Sequence, residues 1–223
     1  MFLSRKVVSF LLLLPLVFCS CFEMTEEVYV SKNGSGNALV TLNLSESKKN
    51  IANFMKMKEM DGMKIPSQEE LEQRLNEVKQ SLKRSKGITN VKTTDDFENF
   101  IFTFTADFDR VESLNKAINK VGEDLNKSTH PTIKKDNFSF VKNRFTRLFD
   151  YDLKALNYEK LSAIQKMVAE AGRFVSIYRF DKEIKDHSNK KAKVSPSRKA
   201  IKIEHSLADI LTGATSIKNI IKF

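Results

Sequence analysis

The sequence predicts an α+β fold, a mainly antiparallel sheet with amphipathic helices packed on one face. Three observations carry that expectation. Phe100, Phe102, Phe104 and Ala106 alternate with Ile101, Thr103, Thr105 and Asp107, the two-residue period of a strand with one face on a core and one toward water. Ser67 and Glu70 form a capping box that opens a run with apolar residues at Leu71, Leu75, Val78 and Leu82, a helix with one buried stripe. Finally, the segments follow one another roughly as ββααββαβαβββαβ, without the regular strand-helix alternation that a parallel sheet requires.

In chain order, the first segment is a leader. Arg5 and Lys6 make it basic, and Val7 to Phe18 is apolar apart from Ser9 and Pro15. Twelve helical residues span roughly 18 Å, too short for a hydrocarbon core of about 30 Å, so the stretch fits a signal peptide and not a membrane span. It closes on Leu16-Val17-Phe18-Cys19-Ser20-Cys21, which resembles a bacterial lipobox. Small Ser20 before Cys21 favours that cysteine over Cys19, which follows bulky Phe18. Phe18 stands where a lipobox carries leucine, and an ordinary secretory signal with incidental cysteines is the alternative. The resemblance implies removal of residues 1–20, lipidation of Cys21 with palmitate-type chains, and a bacterial envelope location, the outer membrane before the inner. Its periplasmic or surface side stays open.

Those are the chain's two cysteines. Cleavage before Cys21 leaves one, capped by lipid, which excludes disulfides, thiol catalysis and thiolate metal sites. The formal charge of +10 falls to +8 as Arg5 and Lys6 leave with the leader. In an envelope compartment that excess suits anionic headgroups, and no nucleic-acid partner is expected.

Residues 21–27 are expected as a lipidated, acidic tether, with Glu23, Glu26 and Glu27 loosely resembling the export signals of Bacteroidota surface lipoproteins. Residues 28–223 are expected as a single α+β domain. Its first element is a hairpin over Val28 to Leu44, turning at Asn33-Gly34-Ser35-Gly36. This lead, strand, turn and strand after the cysteine resemble uncharacterised Bacteroidota-type envelope lipoproteins. They are also loosely similar to the LppM-type lipoprotein domain, which implies an α+β module associated with amphiphile binding.

A helix is expected over Ser47 to Met60, with Ile51, Phe54 and Met55 on one stripe. Met55, Met57, Met60 and Met63 invite a copper(I) reading, but on a helix they spread over more than half the circumference, so apolar lining is the simpler role. Gly87 ends the helix that Ser67 opens, and a short strand follows at Ile88–Val91 before the phenylalanine strand. Asp109 and Glu112 form a capping box for a helix carrying Val111, Leu114, Ile118, Val121 and Leu125. Phe138, Phe140, Val141 and Phe145 suggest one strand with a bulge. A longer helix is expected over Leu153 to Ala171, then a strand over Phe174–Phe180. Two short strands near Ala192–Val194 and Ala200–Glu204 flank the turn Ser195-Pro196-Ser197. Ser206 caps a helical turn through Leu211, and a last strand closes the chain.

No catalytic constellation emerges. His130, His187 and His205 have no partners at metal spacing, and there is no Gly-x-Ser-x-Gly elbow. Asp95-Asp96 and Asp107/Asp109 fit a turn and an N-cap better than a carboxylate dyad. The expectation is therefore a non-enzymatic binding module, membrane-anchored, with no cofactor and no metal site. Phe100, Phe102, Phe104, Phe138 and Phe140 are the candidate lining of an apolar groove for an amphiphile or lipid. Lys190, Lys191, Lys193, Arg198 and Lys199 are candidates for a headgroup contact, or else a solvated, aggregation-resisting edge. A scaffold contacting another envelope protein is the competing function, and a hydrolase with a dispersed site the third.

Overall fold

A computed structural model describes residues 22–57, 59–60, 63–125, 135–148, 166 and 169–223. The leader, Cys19 and Cys21 lie outside these residues, as does most of the helix expected over 153–171. Lys166 and 169–171 are helical.

The chain opens with strands β1 (Phe22–Val30) and β2 (Gly36–Asn43), a tight turn at Ser45–Ser47 and the short helix α1 (Lys48–Phe54). Two-residue strands β3 (Glu59–Met60) and β4 (Met63–Lys64) precede α2 (Gln68–Lys83), β5 (Ile88–Asp96), β6 (Ile101–Phe108) and α3 (Val111–Leu125). Next come β7 (Phe138–Val141), β8 (Arg144–Arg147), β9 (Gly172–Phe180), β10 (Asp186–His187), β11 (Lys193–Val194) and β12 (Ala200–Ser206). Helix α4 (Leu207–Leu211) and β13 (Asn219–Lys222) complete the described chain.

The fold is α+β. A seven-stranded sheet runs β11-β12-β9-β1-β2-β6-β5, and a four-stranded sheet runs β10-β13-β8-β7. Every pair is antiparallel except β1 with β9. Met24, Glu26, Val28 and Val30 of β1 point to one face, and across the register they meet Phe174, Ser176, Tyr178 and Phe180 of β9. On the other side Val40 of β2 faces Phe104 of β6 and Ala38 faces Ala106. The small sheet and helix α3 both cover this face, so Phe138, Phe145, Ile221 and Phe223 share one core with Val28, Tyr178, Leu114 and Ala117.

Local chemistry explains most boundaries. Ser67 accepts from the Glu70 N–H at 3.2 Å and Glu70 accepts from the Ser67 N–H at 2.9 Å, the expected capping box. Gly36 is required: a Cβ there would sit 1.8 Å from the Tyr29 carbonyl oxygen. Gly87 sits at φ +81°, where a side chain is strained, and ends the turn after α2.

Several expectations are corrected. Phe22–Glu27 is the first part of the central strand and not a tether, because Met24 and Glu26 continue the inward alternation of Val28 and Val30. Residues 138–147 form two strands joined by a turn with Lys142 at φ 56°, not one bulged strand. Phe100 sits at φ 56° before its strand begins, so β6 starts at Ile101. Strand β5 extends to Asp96, with its pairing slipped between Thr89 and Lys92. The helix expected to Met60 ends at Phe54, and Ser206 makes no side-chain cap on α4.

Candidate functional site

Take the Val30 end and the Phe22 end of β1 as the two ends of the sheet. Helix α3 leaves β6 at the Val30 end and runs back across the inner face. Its first turns are buried, with Leu114 5% exposed and Ala117 fully covered, over Val28 at 1%. Farther along, Ile118 is 36% exposed and Leu125 43%. The sheet changes in step, since Val40, Leu42 and Phe104 are half-buried where Val28, Val30 and Phe108 are sealed. Helix α3 is therefore sealed on the sheet along its first turns and less covered along its later ones, while Phe102, Phe174, Ile210 and Ile217 close the Phe22 end of the sheet.

Between the helices and the sheet lies an apolar cavity of about 90 Å³. Val28, Ala38, Val40, Phe104 and Ala106 form its sheet wall, and Leu82, Leu114, Ile118 and Phe138 the wall opposite. Small-molecule sites usually hold roughly 300–1,000 Å³, so this one takes the last few carbons of a chain and not a whole lipid. Its polar lining residues are Glu26, Glu27 and Thr105, of which buried Glu26 is turned toward the core. A wider trough of about 580 Å³ between Lys64, Glu70, Arg74 and Leu125 has exposed, charged walls, where hydrocarbon gains little.

Behind the cavity is a buried polar cluster. Arg147 is completely covered, yet donates to Glu26 Oε2 at 3.3 Å and to Asn137 Oδ1 at 2.9 Å, and its guanidinium sits 4.8 Å from the Phe138 ring centre. Tyr178 donates to Glu26 Oε1 at 2.8 Å. Burial, and then the Glu26 charge, push the Tyr178 hydroxyl well above its ordinary pKa, so it stays a donor. Asn115 of α3 accepts from the Asn137 and Phe138 N–H groups, both at 3.0 Å, and donates to the Phe138 carbonyl at 2.8 Å. The cluster ties the large sheet, small sheet and α3 together and fixes the cavity's inner end. Both Glu26 carboxylate oxygens accept, Oε1 from Tyr178 and Oε2 from Arg147, so the cluster acts as a structural clamp.

Of the candidate groove residues, Phe104 and Phe138 line the cavity together. Phe102 is one step farther along the same strand face, covered by Phe97 at 5.0 Å between ring centres. Phe100 lies outside the strand. Phe140 is at the Val30 end, 6.4 Å from Phe223. The basic residues sit on and around the β11–β12 hairpin. Lys191 reaches Thr215 Oγ1 at 3.2 Å, Lys193 pairs with Lys202 midway along β12, and the Arg198 guanidinium donates to the Ile184 and Lys185 carbonyls at the Val30 end. They follow the β11 edge of the sheet, away from the cavity.

Asp96 is engaged by Asn99, Asp107 by Asn90 and Asn37, and Asp109 by Ser113, so none is a dyad. Among the described residues no group of His, Cys, Asp and Glu could hold a metal. Leu82, Leu114 and Ile118 were legible only as inward-facing residues of their helices. Glu26 and Arg147 gave no signal, since 121 positions separate the two.

No protein-family description and no curated protein matches the chain. Among solved structures, the folded domain of LppM from Mycobacterium tuberculosis, determined by NMR, is similar at a TM-score of 0.41 and 9% identity, over 90% of this chain and 87% of that one. A likeness of that size says nothing of activity.

Proposed function

We propose that this chain is a lipoprotein of a bacterial envelope, anchored through Cys21, that works as a non-enzymatic binding module for the hydrocarbon part of an amphiphile. One observation carries the binding reading: an apolar cavity bounded by Val40, Phe104, Leu82 and Ile118 stands open where the surrounding core is packed. An open wall of that kind loses contacts on one side, and hydrocarbon restores them at about 0.8 kcal/mol per methylene buried. The anchor reading rests on the lipobox resemblance. Two acyl chains on Cys21 hold a protein effectively irreversibly.

Native mass spectrometry of the chain from Phe22 onward, purified without detergent, tests the binding reading. The expected result is co-purifying amphiphile, or retention of added fatty acid. A lipid-free protein that also fails to retain added lipid leaves the scaffold reading in its place. A fatty-acid probe tests the anchor: Cys21→Ser should abolish labelling, and Cys19→Ser should leave it. Continued labelling of Cys21→Ser removes Cys21 as the site.

A further inference from the structure

Charge is spread unevenly over the described residues. Four turns adjoin at the Val30 end of the large sheet: 31–35 between β1 and β2, the β7–β8 turn at Lys142, 181–185 after β9, and 195–199 between β11 and β12. Hydrogen bonds hold them side by side. The Lys32 N–H donates to Asp181 at 3.1 Å, Lys182 Nζ to the Asn143 side chain at 2.8 Å, and the Ile184 N–H to the Arg198 carbonyl at 2.7 Å. These turns carry seven bases, Lys32, Lys142, Arg144, Lys182, Lys185, Arg198 and Lys199, against Asp181 and Glu183, a net +5 and half of the chain's formal +10. Among the described residues none of the seven is ion-paired. At the Phe22 end the signs mix. Glu23 pairs with Arg173 at 3.1 Å and Glu98 with Lys48 at 4.0 Å, while Glu46, Asp96 and Asp209 offset Lys49, Lys190 and Lys191.

Two further features say what the basic end meets. It has no pocket for a small anion, because the notch at its centre, between Lys32, Lys182, Phe140 and Phe223, holds about 10 Å³. Beside Lys142, the tip of the β7–β8 hairpin presents Val141, which at 59% is the most exposed large apolar side chain among the described residues. Bases on several turn tips with an apolar residue among them suit a lipid surface. There the ammonium and guanidinium groups meet headgroup phosphates, and the apolar tip enters the interface.

We infer that the Val30 end is a docking surface for an anionic lipid bilayer, held by the bases of the four turns with Val141 at the interface. The contact is separate from the cavity and additional to the anchor. Strand β1 alone puts roughly 30 Å between Phe22 and Val30, several Debye lengths at physiological salt.

Vesicle capture tests it. The full-length lipidated protein is placed in phosphatidylcholine vesicles, a neutral carrier. These are mixed with dense acceptor vesicles of phosphatidylcholine alone, or of equal parts phosphatidylcholine and phosphatidylglycerol. The expected result is sedimentation with the phosphatidylglycerol acceptors only, weakening as salt is raised. Arg144→Gln with Lys199→Gln should weaken capture about thirtyfold, the effect of two bases lost from the contact. Val141→Ser should weaken it about fivefold. Lys190→Gln with Lys191→Gln removes the same charge outside the four turns and should leave capture unchanged. A thermal melt shows whether each variant is folded, and Lys142→Gln with Lys185→Gln stands in for the first pair if that one is not. Equal capture by both acceptors, no loss in the Arg144–Lys199 pair, or an equal loss in the Lys190–Lys191 pair would each overturn the inference. Capture indifferent to Val141→Ser would overturn the lipid surface and leave a soluble polyanion as the partner. A protein that leaves its carrier vesicles removes the anchor instead, and its own sedimentation with the phosphatidylglycerol acceptors still reads the docking.

Discussion

At the Val30 end of the sheet, Phe145, Tyr178, Phe180 and Phe223 interlock with ring centres 4.7 to 5.3 Å apart. Under the later turns of α3, Val40, Leu42, Phe104 and Ile118 are no less apolar, yet are only partly covered. The difference lies in what covers them. The small sheet lies across β9 and β1 as a continuous layer, and two sheets about 10 Å apart interdigitate along their whole length. Helix α3 is a rod over a twisted surface, so it touches closely at one end and leaves space at the other. Helix α2 packs mainly on α3 and β5 and does not fill that space. One part of the inner face is closely packed, and the other is left half-covered. Glu26 stands on the boundary, lining the cavity and pairing with Arg147.

The comparison is broken most severely at that boundary. Arg147→Ala leaves the Glu26 carboxylate covered and without its cation, which costs about 3–5 kcal/mol. Chemical denaturation should show it, together with loss of the cavity's shape. Arg147→Met combined with Glu26→Gln removes both charges, keeps a partner for Tyr178, and should recover at least half of the loss. An Arg147→Met protein as stable as the parent would show that the pair is dispensable.

A smaller effect contrasts the halves directly. Phe145 is fully covered, so Phe145→Ala should cost about 3–5 kcal/mol, while half-covered Phe104→Ala should cost under about 2 kcal/mol. Lipid retention should reverse the order, with Phe104→Ala the more damaging once the Phe145 variant is held at a temperature where it stays folded. Equal stability losses would mean that the Phe104 side is packed as tightly as the other.

The period-2 and heptad-like patterns made the strands, the helices and the α+β class readable, because each is local. What decided the architecture was not local. Residues 22–27 resemble a tether by their glutamates, and only the register with Phe174 and Ser176 of β9 turns Met24 and Glu26 inward. The small sheet was hidden because Phe138, Phe140 and Phe145 read as one strand, the turn at Lys142-Asn143 lacking a glycine. Of the candidate groove, Phe104 and Phe138 converge, while Phe140, two residues farther along the same strand as Phe138, lies against Phe223 at the Val30 end. Alternation tells which face a side chain takes, but not which layer will cover it.

The smallest effect is set by pH, and it is confined to the Val30 end, where Tyr29, Asn37 and Asp107 stand side by side in the register. Asn90 and then Asn37 donate to Asp107, each at 2.7 Å, holding its carboxyl below the usual carboxylate range and tying edge strand β5 to β2 and β6. At the Val30 end, Tyr29 at 2.6 Å and the Lys32 N–H at 3.1 Å do the same for Asp181. A carboxyl whose folded pKa is lowered stabilises the fold above its unfolded value of about 3.9, and that contribution is lost as pH falls through the folded value. Both groups are solvent-accessible, so each contributes modestly. Tm should hold from neutral pH to about pH 5 and fall below about pH 4. Asp107→Asn should flatten part of that fall. Hydrogen exchange at acid pH should rise first in β5, the exposed edge with a slipped register, and last in β9, buried between two neighbours. Amides of β9 opening together with those of β5 would mean that the edge and the interior of the large sheet unfold as one unit.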